Sequence, residues 1–157
     1  MINLSKKVVK KLIKKKIKIS FAESCTGGLL SNTITTLNGS SKVFDLGLIT
    51  YSNQSKINLL KIPKKIITKY GAVSEQVCRA MVKNISKIAK TNMSVSITGI
   101  AGPGGGTINK PVGLVYVGIK KGHNIKIKKY FIKNRGRSYI QKVTVGICLK
   151  LILSFLK

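Results

Sequence analysis

The spacing of apolar residues in the first third of the chain switches between a helical and a strand-like period. Among the lysines of residues 5–15, apolar side chains recur every three or four positions, which predicts an amphipathic helix. A short alternating run over residues 17–22 predicts a strand, and a glycine-rich turn then opens a helix over residues 26–34. Residues 43–50 predict the next strand. This part of the chain is therefore predicted to run helix, strand, helix, strand.

The rest of the chain continues the alternation and ends with a hairpin and a helix. Asn53 is expected to cap a short helix that runs to Leu60, Pro63 to open another, and Ser74 to cap a longer one. The later elements are that longer helix to about residue 90, a buried strand over 93–98, hairpin strands over 112–120 and 125–133, and a closing helix over 138–156. This order predicts an α/β fold, a three-layer α/β/α sandwich with a mixed sheet.

Length and composition indicate a single domain over residues 1–157. A chain of 157 residues, 43% of them hydrophobic, is long enough for one core, and no change in composition marks a second domain. The longest apolar stretch, residues 147–156, is interrupted by Lys150 and is too short to cross a bilayer. We therefore expect a cytoplasmic protein without membrane contact, and the three cysteines fit a reducing compartment.

The formal net charge of +27 is typical of proteins that bind nucleic acid, because such proteins neutralise phosphates and release counterions. The lysines, however, are spread over every predicted element, and no DNA- or RNA-binding motif is recognisable. We therefore expect nucleic acid to bind only nonspecifically and at low salt.

Few residue types remain for catalysis. The acids are limited to Glu23, Asp45 and Glu75, so a pair of carboxylates would have to come from these three. His123 lies in a predicted turn and is expected to be solvated. The cysteines are far apart and show no metal-ligand spacing, so no metal site is expected. A serine hydroxyl paired with a lysine amine is the chemistry that remains.

Two turns that contain glycine are candidate ligand sites. The segment from Glu23 to Gly28 lies between a strand and a helix, where backbone amides and the helix dipole favour an anion. The loop from Ile100 to Thr107 follows a buried strand, at the end where open α/β sheets bind ligands. The alternative for the first segment is an ordinary tight turn without a ligand, and the alternative for the second is a flexible loop.

Ser41, Tyr51 and Lys56 flank the strand predicted over residues 43–50. We expect this strand and the helix that follows it to bring the serine hydroxyl, the tyrosine phenol and the lysine amine to one edge of the sheet. A lysine acts as a base only when neutral, and with an ordinary pKa of about 10.4 its neutralisation near pH 7 costs roughly 4 kcal/mol. Burial can lower a lysine pKa by about 3 to 5 units, which covers that cost. The alternative to a catalytic pair is that Ser41 and Lys56 are both ordinary solvated surface residues.

Six ordered segments resemble the CinA C-terminal domain family, whose members include stand-alone nicotinamide-nucleotide amidases. They are FAESCTGGLLS, GSSKVF, TYSNQSKINLL, YGAVSEQV, SITGIAGPGGGTINKPVG and the run from Phe131 to Arg135. The resemblance covers nearly the whole chain and implies a three-layer α/β domain. It also implies hydrolysis of the carboxamide of nicotinamide mononucleotide to nicotinate mononucleotide and ammonia, through an acyl-enzyme. It implies no cofactor and no metal.

The same resemblance implies roles for individual residues. The nucleophile of the family falls on Ser41 and its general base on Lys56, with Tyr51 beside the pair. Arg135 is the expected partner of the substrate phosphate, and backbone amides near Ser41 or in the glycine loops are the expected oxyanion donors. The residues implied to bind substrate are Ser24, Thr26, Gly27, Thr98, Gly99, Gly102 and Arg135.

Two classes of function stay open at this point. The first is the amidase, and the second is a noncatalytic binding or regulatory protein on the same scaffold that acts on nucleic acid. Retention of Ser41, Tyr51 and Lys56 favours the enzyme. The scarcity of acids increases self-repulsion and favours a homo-oligomer, a dimer in the first place. The nucleotide-binding domain that many relatives carry ahead of this one is expected to be absent.

Overall fold

A computed structural model describes residues 2–157, which form six α-helices, one 3₁₀ helix and five strands. The helices are α1 (Ile2–Lys14), α2 (Leu29–Thr35), α3 (Asn53–Asn58), α4 (Lys64–Tyr70), α5 (Glu75–Ala89) and α6 (Arg137–Phe155). The strands are β1 (Ile19–Glu23), β2 (Phe44–Ile49), β3 (Met93–Gly99), β4 (Leu114–Lys121) and β5 (Asn124–Phe131). All elements predicted from the sequence are present, and only the 3₁₀ turn Ser40–Lys42 was not predicted.

The five strands form one mixed sheet in the order β2-β1-β3-β4-β5. Strand β1 pairs in parallel with both β2 and β3, whereas β4 pairs antiparallel with β3 and β5. The carboxyl ends of β1, β2 and β3 therefore meet at the same edge of the sheet. In open α/β sheets this edge is where ligands bind.

Helices cover both faces of the sheet, so the predicted three-layer α/β/α sandwich is confirmed. Helices α1, α2 and α6 pack on one face around Phe21, which is fully buried and stacks 5.1 Å from the ring of Phe44. Helices α4 and α5 pack on the other face, around Ile67, Val77 and Met81. Burial of each such side chain contributes about 1.5–3 kcal/mol, which holds the three layers together.

Helix α6 is 19 residues long and apolar enough, by length and composition alone, to cross a membrane. Its residues Ile140, Val145, Cys148 and Ile152 are fully buried in the core that α6 shares with α1 and the sheet. The position of α6 is therefore explained by its packing in the core.

Serine side chains cap two of the helices that border the sheet edge. Ser74 caps α5 by accepting a hydrogen bond from the amide of Val77, as predicted. Helix α3 is capped by Ser52, which forms a reciprocal capping box with Ser55, so the prediction of Asn53 as the cap was wrong by one residue. The capping box holds the short helix that carries Lys56.

Candidate active site

A cavity of about 230 Å³ opens at the carboxyl edge of the parallel strands. Its walls come from the turn after β1, the β2–α3 connection, the segment before α5, the loop after β3 and the start of α6. The lining residues are Ser24, Cys25, Tyr51, Asn53, Lys56, Ala72, Val73, Thr98, Gly99, Ile100, Ala101, Gly102, Gly104, Gly105 and Arg137. The cavity thus combines three hydroxyl side chains, a thiol and two basic side chains.

Lys56 is the most unusual residue in this cavity, because its side chain is only 1% exposed. Its Nζ atom lies 3.0 Å from Oγ of Ser24, 2.7 Å from the carbonyl oxygen of Thr50 and 3.4 Å from that of Tyr51. No carboxylate is within salt-bridge distance of Lys56 in residues 2–157. Burial lowers the pKa of Lys56 from 10.5 to about 8, which makes the neutral amine accessible near neutral pH.

The three neighbours of the Lys56 amine suit both of its protonation states. An ammonium ion donates to the two carbonyls and to Ser24. A neutral amine keeps two N–H groups for the two carbonyls, and its lone pair then faces the hydroxyl of Ser24. In that state Lys56 is placed to accept the proton of Ser24, which is the geometry that a serine nucleophile and its base require.

Cys25, the neighbour of Ser24, also lines the cavity. Burial raises the pKa of its thiol to about 12, and the nearby Glu23 carboxylate acts in the same direction. The thiol is therefore protonated at neutral pH and is a poor nucleophile, because the thiolate is the reactive form. Between these neighbouring residues, Ser24 is the better nucleophile.

Ser41 does not lie at this cavity. It is exposed on the 3₁₀ turn that precedes β2, whereas Lys56 follows the end of β2. A strand of this length separates its two ends by about 20 Å, since each residue adds roughly 3.3 Å. The expectation that β2 brings Ser41 and Lys56 to one edge of the sheet was therefore wrong, while Tyr51 and Lys56 do meet at the cavity.

Glu23 occupies the position that the sequence suggested for a bound anion. Its buried carboxylate accepts hydrogen bonds from the backbone amides of Gly28, Leu30 and Ser31 and from the hydroxyls of Thr26 and Ser31. The N-terminus of α2 is thus capped by a side chain of the chain itself, and a phosphate cannot use the same amides.

Two predicted substrate residues belong to this capped turn. Thr26 directs its hydroxyl to Glu23, and Gly27 is exposed with a φ of 60°; neither lines the cavity. The structure therefore does not bring Thr26 and Gly27 to the site, and both serve the turn that positions Ser24.

The loop after β3 does reach the cavity, as expected. Thr98, Gly99 and Gly102 all line it. The hydroxyl of Thr98 donates to the carbonyl of Ala72 at 2.8 Å and so ties β3 to the segment before α5. Gly102 has a φ of 79°, and a Cβ there would lie 2.7 Å from the side chain of Val112, so glycine is required for the loop to fold against the segment that precedes β4.

The cavity arginine is Arg137 and not Arg135. Arg137 donates from Nη1 to the carbonyl of Gly102 at 2.8 Å and from Nη2 to the hydroxyl of Tyr51. Arg135 is exposed outside the cavity, with its guanidinium 5.4 Å from the ring centre of Tyr139. The prediction that Arg135 belongs to the substrate cavity is therefore wrong.

Sequence reasoning missed Arg137 although one signal was available. Arg137 is the first residue of α6, and a cation is electrostatically unfavourable at a helix N-terminus. A residue that opposes the helix dipole in this way is a candidate for a functional role.

Other candidate residues lie away from the cavity. His123 is exposed in the β4–β5 turn, as predicted, and the three cysteines are free and buried. Within residues 2–157 no three His, Cys, Asp or Glu side chains are placed to hold a metal ion. A larger cavity of about 720 Å³ lies between α1 and α6. Its lining has no group suited to nucleophilic catalysis: Lys7, Lys10, Lys11, Lys14, Lys150, Leu153, Ser154 and Lys157.

Comparison with known proteins identifies one family. The family model described as the CinA C-terminal domain matches residues 1–156. A CinA-like protein of Prochlorococcus marinus subsp. pastoris (strain CCMP1986 / NIES-2087 / MED4) is 49% identical over 149 residues, which cover 94% of this chain and 34% of that protein. The chain spans about a third of the length of the curated relatives it matches.

Solved structures show the same architecture. The competence/damage inducible protein CihA from Agrobacterium tumefaciens is 34% identical with a TM-score of 0.97, over 99% of this chain and 95% of that chain. A CinA superfamily protein from Klebsiella pneumoniae 700603 is 25% identical with a TM-score of 0.94, over 99% and 96% of the two chains. These structures confirm the single-domain α/β fold.

Proposed function

Because this chain belongs to the CinA C-terminal domain family, we propose that it is an amidohydrolase that converts nicotinamide mononucleotide to nicotinate mononucleotide and ammonia. The observation that carries the proposal is the buried amine of Lys56, 3.0 Å from the hydroxyl of Ser24 at the edge of a cavity. The carboxamide of the substrate enters this cavity beside Ser24. The proposed catalytic pair is therefore Ser24 and Lys56.

In the first half of the proposed reaction, Ser24 becomes acylated. The neutral amine of Lys56 takes the proton of the Ser24 hydroxyl while Oγ attacks the carboxamide carbon. The resulting Lys56 ammonium then gives that proton to the amide nitrogen, the C–N bond breaks, and ammonia leaves. The product of this half is an ester between Ser24 and the nicotinoyl group.

In the second half, water releases the acid. Lys56, neutral again, takes a proton from water as the hydroxide attacks the ester carbon. The proton returns to Oγ of Ser24 as the C–O bond breaks, and the new carboxylic acid loses its remaining proton to solvent, so that nicotinate mononucleotide leaves as a carboxylate. Both halves use one base, so one protonation state of Lys56 controls the whole cycle.

Backbone amides beside Ser24 are the proposed oxyanion donors. Ser24 directly follows β1, and its own N–H donates to the carbonyl of Ile97 at 3.1 Å. The amide of Cys25, the next residue, has no hydrogen-bond acceptor in the described part of the chain. An amide in this position relative to a nucleophile stabilises the tetrahedral intermediate, and each good donor is worth about 3 kcal/mol.

The substrate phosphate is proposed to bind near Arg137 and the glycine loop. Two of the five N–H groups of Arg137 are used by Gly102 and Tyr51, which fixes the guanidinium at the cavity and leaves the others for a ligand. The amides of Gly102, Gly104 and Gly105 add further donors at the same wall. The cavity then takes the nicotinamide ring, and the phosphoribosyl group lies towards the opening.

The burial of Lys56 argues against a noncatalytic scaffold. Keeping a lysine without a carboxylate partner in the interior is costly, because the ammonium loses its hydration. A protein that only binds polyanions uses exposed lysines, which this chain has in excess. A buried and weakly basic lysine beside a hydroxyl is explained by amide hydrolysis.

The pH dependence of hydrolysis tests the function and the base together. Purified protein with nicotinamide mononucleotide should release nicotinate mononucleotide and ammonia in equal amounts, as measured by NMR and an ammonia assay. Because Lys56 must be neutral and its pKa is about 8, kcat/KM should rise tenfold per pH unit below that value and level off above it. At pH 6 it should be about 100-fold below the plateau. No hydrolysis at any pH would refute the proposed function.

A stability measurement provides a control that does not depend on turnover. The folded pKa of Lys56 is depressed, so between about pH 8 and 10.5 the unfolded chain binds more protons and stability rises with pH. The wild-type protein should therefore gain about 3 kcal/mol relative to Lys56→Met across this range. Parallel stability curves for the two proteins would show that Lys56 has an ordinary pKa.

Arg137 should affect substrate binding and Arg135 should not. Arg137→Met should raise KM for nicotinamide mononucleotide by about 10- to 100-fold, because a charge-assisted contact to phosphate is lost. Arg135→Met removes an equal charge two residues away and should leave KM within about twofold. The effect of Arg137→Met should be much smaller with nicotinamide riboside, which lacks the phosphate. Equal KM changes for the two substrates would contradict the phosphate contact.

A further inference from the structure

The cavity between α1 and α6 is lined almost entirely by lysines. Its volume is about 720 Å³, and six of its eight lining residues are lysines. The lysines of α1 recur every three or four positions, so they form one ridge along the helix. Lysines of α6 border the same cavity from the other side. The six are Lys7, Lys10, Lys11, Lys14, Lys150 and Lys157.

Two smaller cavities adjoin this one. A cavity of about 380 Å³ shares Lys10 with it, and a cavity of about 250 Å³ shares Lys150 and Ser154. Together the three cavities form a continuous basic groove that runs from the end of α2, across α1 and α6, to β5. The lysines of the basic groove are Lys6, Lys7, Lys10, Lys11, Lys14, Lys128, Lys150 and Lys157.

No acidic side chain balances the charge of the basic groove. The chain has three acids in all, and one of them, Glu23, is buried where it caps α2. The other two, Asp45 and Glu75, pair with basic side chains outside the groove. Repulsion between the ammonium groups therefore raises the free energy of the folded chain unless an anion lies between them.

Helix dipoles account for only part of this lysine cluster. Lys11 and Lys14 lie in the last turn of α1, where the carbonyl end of the helix favours a cation. Lys7, Lys10 and Lys150 lie earlier in their helices and gain nothing comparable. An anionic ligand in the groove accounts for their convergence.

We propose that the basic groove binds a linear polyphosphate, a chain of phosphates joined by phosphoanhydride bonds. The central cavity offers ammonium groups, the hydroxyl of Ser154 and the apolar side chain of Leu153, which suit bare phosphates. It has no arginine, amide or aromatic side chain to read or stack on a base, as a nucleic-acid site would. A chain suits the groove better than one phosphate, because Lys7 and Lys14 are about 10 Å apart along α1.

The basic groove and the candidate active site lie at opposite ends of α6. Arg137, which lines the cavity at Lys56, is the first residue of the helix. Lys150 follows more than three turns later, about 20 Å along the helix axis. A bound polyphosphate therefore leaves the cavity at Lys56 open. The proposal does not depend on the amidase activity.

Paired glutamine variants test the groove. Calorimetric titration with inorganic polyphosphate at about 0.15 M salt, where charges more than about 8 Å apart are largely screened, should show saturable binding. Combining Lys10→Gln with Lys150→Gln should weaken binding about 10- to 100-fold. It should also reduce the slope of log affinity against log salt by about 1.4, because two phosphate contacts are lost. Circular dichroism reports whether the variants are folded.

The matched control combines Lys64→Gln with Lys83→Gln. These changes remove the same charge from exposed positions on α4 and α5, across the sheet from the basic groove. They should change the affinity for polyphosphate less than about threefold. Equal losses in the two double variants would show that the ligand responds only to net charge, and would overturn the proposal.

Lysine footprinting locates the ligand on the unsubstituted protein. At a polyphosphate concentration ten times Kd, acetylation of Lys10 and Lys150 should slow about tenfold, because the groove is then free only about a tenth of the time. Lys64 and Lys83 should react at their original rates, as measured by peptide mass spectrometry. Equal protection of all four lysines, or protection of none, would contradict a site in the groove.

Duplex DNA is the competing occupant. Its sugars and bases keep the phosphates of each strand about 3.4 Å apart along the axis and hold the duplex outside a cavity between two helices. A duplex oligonucleotide that carries the same total charge should therefore bind at least about tenfold more weakly than polyphosphate at equal salt. Equal or tighter binding of the duplex would overturn the assignment to polyphosphate.

Discussion

Ser24→Ala should lower kcat for nicotinamide mononucleotide by at least about 10⁴-fold, because loss of a nucleophile removes the covalent route altogether. The side chain of Ser24 contacts Lys56, and its backbone is held independently by the bond from its amide to Ile97. The strand that positions residue 24 should therefore keep its geometry in the variant. Initial rates of ammonia release with saturating substrate measure the effect.

Ser41→Ala is the matched control, since it removes a hydroxyl from the other serine considered for this role. Ser41 is exposed before the start of β2, at the end of the strand away from the cavity. We expect removal of its hydroxyl to change kcat less than about threefold. Mass spectrometry of quenched wild-type reactions should locate the nicotinoyl ester on the peptide that contains Ser24. A full loss of activity in Ser41→Ala with an active Ser24→Ala would reverse the assignment.

The secondary structure was predictable because it depends on local patterns. The helical spacing of apolar residues identifies α1, and Ser74 identifies the start of α5 through cap chemistry that acts over three residues. The turn around His123 identifies the β4–β5 hairpin in the same way. Each of these signals lies within one element or one turn.

The contact between Ser24 and Lys56 was not predictable from proximity in the sequence. Ser41 is nearer to Lys56 along the chain than Ser24 is, yet β2 lies between them and separates its two ends. Ser24 follows β1, Lys56 follows β2, and the two strands are parallel, so their carboxyl ends coincide. Knowledge of the strand directions, which a local pattern does not contain, is what selects Ser24.

The contacts of Arg137 and Glu23 were also not predictable from local sequence patterns. Arg137 reaches Tyr51 and Gly102, which are distant in the sequence, and Glu23 caps a helix that begins after an irregular turn. Both contacts arise only after the chain has folded. The glycine loop was predictable because its position after a buried strand already places it at the ligand-binding edge.

Glu23→Gln should destabilise the folded protein by about 3 kcal/mol, since a buried group with five hydrogen-bond donors around it loses its charge and one acceptor. The carboxylate of Glu23 accepts hydrogen bonds at both oxygens. In the variant the NH₂ group of glutamine takes the place of one oxygen, so a donor would face an N–H or O–H donor. Helix α2 begins at Leu29, its cap residue Gly28 has no side chain, and its first turn contains no acid, so no other side chain replaces Glu23. Urea unfolding followed by circular dichroism measures the change.

Glu75→Gln is the control, because it makes the same chemical change and the same change in net charge at an exposed position. The Glu75 side chain is 55% exposed and pairs with Arg79 one helical turn away, an interaction worth about 0.5 kcal/mol or less. Glu23→Gln should also reduce kcat, because Glu23 orders the turn that begins at Ser24, whereas Glu75→Gln should not. Equal unfolding midpoints for the two variants would mean that the hydrogen bonds around Glu23 contribute little, and α2 would then have to be held by its packing against the sheet alone.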